Sequence, residues 1–379
     1  MNITMLLTNA FEMDVRVYKE ARYLIEKGNN VTILCWDRNK NSNLKALDEK
    51  DGIQVVRFLE PSIAGSGYRQ VGSFFKYALK CRKYLKNHLA DYVHCNDLDG
   101  MIAYQICGKE KPYIFDMHEY YIRGSKLKQK IIKKIVGYFI KNSHYSLYEN
   151  NGYLKLYNAG IAQHLLPLKN YPDADCLKPL EKTASEKFRI GYHGCVRGQL
   201  PEFKALFDAC SEMSDVRIDI NGGGIDLPEL KELEDTILGA EDKLYALEQY
   251  SNVFVHGPYN GMKESNRLYQ NTDVLYCGYN PDNPNYQGDA EVVKFYEAIV
   301  TGTPMIMTES LGMGEKVKQM DIGLTADTRD VNSIKKVIVQ MKNDKMLCQK
   351  FRENMLKFSP NYNWENAVKV LDEVYQKRS

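Results

Sequence analysis

A short apolar run, Ile3 to Leu7, is followed by an amphipathic stretch and then by a second apolar run, Val31 to Trp36. Between them Asp14 is placed to cap a helix. Val17, Ala21, Leu24 and Ile25 share one face of that helix, and Lys27-Gly28 ends it. A strand, a helix and a strand joined in this way can close only as a parallel pair with a right-handed crossover. The pattern continues through Ile53–Phe58, a helix bearing Phe74, Phe75, Ala78, Leu79 and Leu85, and strands at Tyr92–Cys95 and Tyr113–Glu119. A polar stretch from Asp175 to Lys187 reads as a linker. At Phe188–Gly194 the alternation starts again, with further strands at Val216–Asn221, Asn252–His256, Asp273–Cys277 and Met305–Met307.

The expected class is therefore α/β, with two Rossmann-like domains, and a length of 379 residues suits two domains better than one. The boundaries read as 1–175, 176–360 and a terminal helix, 361–379, beginning near Trp364. A net charge of +2 gives no global pull toward nucleic acid. Nine scattered cysteines without a Cys-x-x-Cys pair signal neither a zinc site nor a disulfide framework, and point to a reducing, cytoplasmic setting. The first residues lack the basic and apolar regions of a signal peptide, and no apolar run is long enough to span a bilayer.

The stretch Gly288 to Ser310 concentrates the chemistry. It reads as a loop, a helix carrying Phe295-Tyr296-Glu297-Ala298, a turn at Gly302-Thr303-Pro304 and a buried strand. Gly302 is a natural helix C-cap, and Pro304 prevents continuation. A helix start presents N–H groups and a positive dipole end, and Lys294 adds a full charge there, so the position suits an anion. Glu297, one turn later, is a carboxylate suited to a pair of hydroxyls.

Asp289, seven residues, Glu297-Ala298 and then Gly302-Thr303-Pro304-Met305-Ile306 resemble the donor-binding motif of the retaining glycosyltransferases of the GT4 class. The resemblance implies the GT-B fold, in which two Rossmann-like domains face each other across a cleft. It implies that Glu297 holds the ribose hydroxyls of a nucleotide sugar, that Lys294 meets the diphosphate, and that Asp289 lies at the transferring sugar, where the family usually has Glu. The turn at Gly194 and Arg197 resembles the family's diphosphate grip, to which Lys204 is joined as its more distant lysine. Gly257 and Tyr259 fall on the loop that lies against the base in the family; Tyr259 reads either as a stacking group or as a surface aromatic. Asp116-Met117-His118-Glu119 resembles the family's acceptor-domain strand end, which makes His118 a sugar contact. Asp14 to Thr32 resembles the start of a subgroup, and leaves Arg16 as either a ligand contact on the acceptor side or a solvated helix residue. The loop acids Asp97 and Asp99 read as functional groups or as caps of the next helix. No metal or other cofactor is implied.

Residues 125–141 form an amphipathic helix without an acid. Leu127, Ile131, Ile132, Ile135, Val136, Tyr138 and Phe139 occupy one half, and Lys126, Lys130, Lys133, Lys134 and Lys141 much of the other. Such a helix packs on a sheet, rests on an anionic membrane, or does both. The combined reading is a glycosyltransferase using a UDP- or GDP-sugar and a glycan or lipid-linked acceptor in envelope or capsular polysaccharide synthesis. It is cytoplasmic and reaches the inner face of the plasma membrane. A non-catalytic nucleotide-sugar-binding protein and a nucleotide-sugar epimerase are the alternatives.

Overall fold

The computed structural model describes all residues except 13, 41, 64–66, 109, 123, 175, 197, 224–235, 239–243, 248–249, 284–285, 287–289 and 377–379. The chain divides into two compact units, Met1–Asn170 with Ala367–Ser379, and Tyr171–Asn366.

The first unit is built on strands β1 (Asn2–Leu7), β2 (Asn30–Asp37), β3 (Leu47–Lys50), β4 (Ile53–Leu59), β5 (Tyr92–Asn96), β6 (Tyr113–Met117), β7 (Tyr145–Tyr148) and β8 (Leu165–Pro167). Its helices are α1 (Val15–Glu26), α2 (Val71–Asn87), α3 (Asp97–Cys107), α4 (Lys126–Asn142) and α5 (Ala159–Ala162). The strands lie in the order β3-β4-β2-β1-β5-β6-β7-β8. All neighbours are parallel except β3 and β4. Buried strands need no polar alternation, and β1 accordingly buries Ile3 to Leu7 without a break. Leu6 stands level with Leu34 on one side and with Cys95 on the other. Asp14 caps α1, its carboxylate accepting from the Val17 N–H at 3.2 Å.

The second unit carries β9 (Phe188–His193), β10 (Val216–Asn221), β11 (Thr236–Leu238), β12 (Leu244–Leu247), β13 (Tyr250–Gly257), β14 (Val274–Cys277), β15 (Met305–Thr308) and β16 (Gly323–Ala326). Its helices are α6 (Leu200–Cys210), α7 (Gly261–Gln270), α8 (Val293–Thr301), α9 (Gly312–Met320), α10 (Val331–Asn343), α11 (Lys345–Phe358) and α12 (Trp364–Ala367). The short α13 (Val370–Val374) returns to the first unit. The order β11-β12-β13-β10-β9-β14-β15-β16 is parallel from β13 to β16. In both sheets the chain winds outward from the first strand and then reverses, at β1/β5 and at β9/β14. Loops leaving the carboxyl ends of the two strands at such a reversal part, and ligands bind in the crevice they leave.

Helix α8 ends as its sequence dictates. Gly302 adopts the left-handed conformation at φ 64°, and the Thr303 N–H bonds the Ala298 carbonyl at 2.9 Å. Two features differ from the sequence reading. The antiparallel edge strand β3 was not expected, because Leu47–Lys50 has no apolar period; Arg57 holds it, donating to Asp48 and to the Lys45 carbonyl at 3.0 Å each. The expected terminal helix is broken into α12 and α13, although Val368, Leu371, Val374 and Tyr375 are buried as its period requires.

Candidate active site

In the second unit the carboxyl ends of β9 and β13 and the start of α8 bring Gly194, Gly257, Tyr259, Lys294 and Glu297 to one end of the sheet. The Lys294 ammonium lies 4.7 Å from the centre of the Tyr192 ring and 5.9 Å from that of Tyr279. It rests directly on the backbone of Gly194, where a Cβ would stand 2.4 Å from Nζ. Gly194 has φ +142°, and the turn after β10 approaches as closely, since a Cβ on Gly222 would fall 1.8 Å from the Gly194 carbonyl oxygen. Two bare backbone turns and one cation thus meet in front of α8. The residue before that helix, Val292, offers no side-chain cap to its first N–H groups.

Glu297 accepts a hydrogen bond from the Tyr269 hydroxyl at 2.9 Å, which fixes its carboxylate one turn into α8. The Tyr259 ring stands 6.5 Å from that of His193, edge to face, and burial and then the Glu297 charge push its phenol up. Beneath them His193 is buried. The Thr272 hydroxyl donates to the Leu268 carbonyl at 2.9 Å, so its contact with His193 Nε2, also 2.9 Å, requires Nε2–H as donor. Asn221 approaches Nδ1 at 3.3 Å. Burial, reinforced by Lys294, pushes His193 down to about 3, and it stays neutral beside the cation. Tyr279, which the sequence pattern does not single out, is buried next to Lys294, and its hydroxyl has no partner among the described residues. Its place two residues past β14 is the only sequence signal for it.

Arg197 and Asp289 lie outside the described residues. Lys204 does not join the group. It is exposed on α6, bonded to Asp208 at 3.0 Å and facing Tyr250 at the opposite, amino end of β13. The spacing that suggested it counted residues along a helix that points away from the site.

The first unit gathers a second polar cluster at the carboxyl ends of β5 and β6. His118 Nε2 stands 2.7 Å from Asp116 Oδ2, and Nδ1 stands 3.4 Å from Asp97 Oδ2. Burial alone would lower its pKa, but Asp116 and then Asp97 outweigh it and raise the ring to about 10. Asp97, at φ 60°, also accepts from the Tyr121 hydroxyl at 2.5 Å, so it organises this corner rather than simply capping α3. Arg16 is not a solvated helix residue. It is buried, with Nη2 on Asp116 Oδ1 at 2.7 Å, Nε on Oδ2 at 3.2 Å and Nη1 on the Leu168 carbonyl at 3.1 Å. Burial pushes Asp116 up, but Arg16 and His118 prevail and hold it well below the usual carboxylate range. Glu20 is fully buried and pushed up by burial and by Asp116.

Among the described residues Glu20, Asp116 and His118 could hold a metal ion. The Arg16 guanidinium already stands 3.0 Å from Glu20 and bridges to Asp116, so the charge a cation would supply there is in place. Lys126, Lys130, Lys133 and Lys134 lie exposed along α4. Among the described residues no helix is long and apolar enough to cross a membrane.

No family model and no curated protein matches the sequence. Solved structures do share its fold. Sucrose-phosphate synthase from Thermosynechococcus elongatus superposes with a TM-score of 0.75 at 14% identity, over 99% of this chain and 98% of that one. A glycosyltransferase from Rickettsia africae gives 0.70 at 14% identity, over 100% and 99%. Anabaena HepE in complex with UDP-glucose gives 0.67 at 13% identity, over 98% of each chain. These neighbours are GT-B glycosyltransferases, and the chain has their fold of two Rossmann-like, parallel-sheet domains.

Proposed function

We propose that this protein is a retaining glycosyltransferase of the GT4 class. It moves a hexosyl group from a nucleotide diphosphate sugar to a glycan or lipid-linked acceptor in envelope or capsular polysaccharide synthesis. The observation that carries the reading is the meeting of Lys294 with the bare backbone of Gly194 at the start of α8, with Glu297 fixed by Tyr269 and Tyr259 packed against His193 at the same end of the sheet. A diphosphate needs donors and positive charge, a ribose needs a fixed carboxylate, and a base needs an aromatic face; the three stand together at the reversal of the second sheet. Anabaena HepE, of the same fold, has been solved with UDP-glucose.

In this reading the second unit binds the donor and the first presents the acceptor. The bond from the anomeric carbon to the diphosphate breaks as the acceptor oxygen bonds to the same face, and the acceptor proton passes to the departing phosphate oxygen. Lys294 and the first N–H groups of α8 stabilise the charge that develops on the diphosphate without a metal ion. Arg197 and Asp289 are assigned to the diphosphate and the transferring sugar by resemblance. His118 has a carboxylate at each ring nitrogen, so it serves as a fixed cation beside the transferring sugar, not as a base. The protein works in the cytoplasm, at the inner face of the plasma membrane.

The test is turnover with UDP- and GDP-sugars and an extract of lipid-linked glycans. The expected result is acceptor-dependent release of nucleotide diphosphate and a product with the donor's anomeric configuration, mostly lost in Glu297→Ala. Conversion of donor without acceptor would make the protein an epimerase, and donor binding with no transfer to any acceptor would make it a non-catalytic binder.

A further inference from the structure

Helices α2 and α4 cover the same face of the first sheet. Tyr77, Ala78 and Cys81 of α2 and Val136, Phe139 and Ile140 of α4 belong to one core cluster with alternate residues of β5 and β6, among them Val93, Cys95 and Phe115. The part of each helix turned away from that core is unusual in two respects. Each leaves large apolar side chains in water at successive turns. On α2, Val71, Phe75 and Leu79 follow at intervals of four, with Phe75 49% and Leu79 42% exposed. On α4, Leu127, Ile131 and Ile135 repeat the interval, with Leu127 69% and Ile131 50% exposed. The apolar half of α4 is thus wider than the core it packs on, and part of it is left outside.

The charge is as one-sided as the apolar rows. Helix α2 carries four lysines and Arg82 and no acid, and α4 carries six lysines and no acid. Lys80 is held by Glu60 at 2.7 Å; none of the others has a carboxylate partner among the described residues. On a chain whose net charge is only +2, eleven cations on two helices of one face make a strong local field. The two acids of α3, which packs on the same face, sit in its first turn.

We propose that α2 and α4 together form a docking face for an anionic lipid surface. The rows of Phe75 and Leu79 and of Leu127 and Ile131 enter the headgroup boundary while the lysines around them meet the phosphates. Nucleic acid would match the cations but leave the aliphatic rows exposed to water. A basic helix with an outward apolar row is the pattern of a segment lying in the bilayer interface. The inference rests on the proposed function for its purpose, since it would hold the enzyme where a lipid-linked acceptor is found. Its new content is that α2, and not α4 alone, makes the contact.

The test is co-sedimentation of the full chain with phosphatidylcholine vesicles, with and without phosphatidylglycerol. Binding is expected only to the anionic vesicles and is expected to fall at high salt. Each lysine near such a surface is worth about fivefold, so the triple variant Lys76→Gln, Lys83→Gln, Lys86→Gln should bind about a hundredfold more weakly. The variant Phe75→Ser, Leu79→Ser should also bind more weakly while keeping its salt dependence. Equal binding to both vesicle types, no binding, or wild-type binding by the α2 variants would overturn the proposal. So would a concentration-dependent dimer that Phe75→Ser abolishes, since the face would then belong to a second copy. These residues belong to the first unit and α8 to the second, so nucleotide-induced thermal stabilisation of the same variants should be unchanged, and a failure here stays separate from a failure of the transferase reading.

Discussion

Replacing His118 with Asn tests the electrostatics of the first cluster. The ring lies between Asp116 and Asp97, which raise it to about 10 in the folded chain, against about 6.5 when free. A group whose folded pKa is raised contributes stability that is fully present below the free value and is lost as pH rises through the folded one. The window for His118 is therefore roughly pH 6.5 to 10. At about 1.36 kcal/mol for each pH unit the ceiling is about 5 kcal/mol. Asp97 is partly exposed and solvent screens its share, so about 2–4 kcal/mol is the realistic size. In a unit of this size each kcal/mol moves Tm by about 2–4 °C. Melting curves of wild type and His118→Asn should then differ by about 5–15 °C near pH 6 and converge by about pH 10. A difference that is flat or grows with pH would refute the assignment, and with it the conclusion that His118 is a cation rather than a base.

Lys182 is pushed down to about 7 by burial and then by Arg352. The unfolded chain binds the extra proton above that value, so stability rises with pH between about 7 and 10.5, and Lys182→Met should raise Tm most near pH 6 and progressively less up to pH 10. Gly194→Ala puts a Cβ 2.4 Å from Lys294 Nζ at a strained φ of +142°; nucleotide affinity measured by calorimetry should fall about tenfold to a hundredfold, the size of a lost charged hydrogen bond. Lys204→Ala removes an exposed pair with Asp208 and a 3.4 Å contact with the Tyr250 hydroxyl; affinity should not change, and stability should shift by less than about 1 kcal/mol.

Much of this architecture is legible in the sequence because it is local. The buried runs of β1, β9 and β15, the caps at Asp14 and Gly302 and the stop at Pro304 are each set by neighbouring residues. What was not legible depends on partners distant in the chain. Arg16 carries a charge on a surface-like helix, and only the fold reveals that Asp116, a hundred residues later, draws it inside. The same holds for Asp97, whose partners Tyr121 and His118 arrive from the loop after β6. The apolar half of α4 could not be divided by its period alone, because that period gives the direction of a side chain and not how much core there is to receive it. Lys204 failed for a related reason: residue spacing does not say which end of the sheet a helix position faces.

The central claim is that the second unit binds a nucleotide diphosphate sugar through α8. The most direct measurement is thermal stabilisation of the wild type and of Glu297→Ala by a panel of UDP-, GDP-, ADP- and dTDP-sugars without added metal. A ligand at a hundred times its Kd stabilises the folded state by about 2.7 kcal/mol, a shift that a melting curve resolves easily. The account requires a clear rise in Tm with one nucleotide and its loss in the variant. No rise with any of them, or an equal rise in Glu297→Ala, would contradict it.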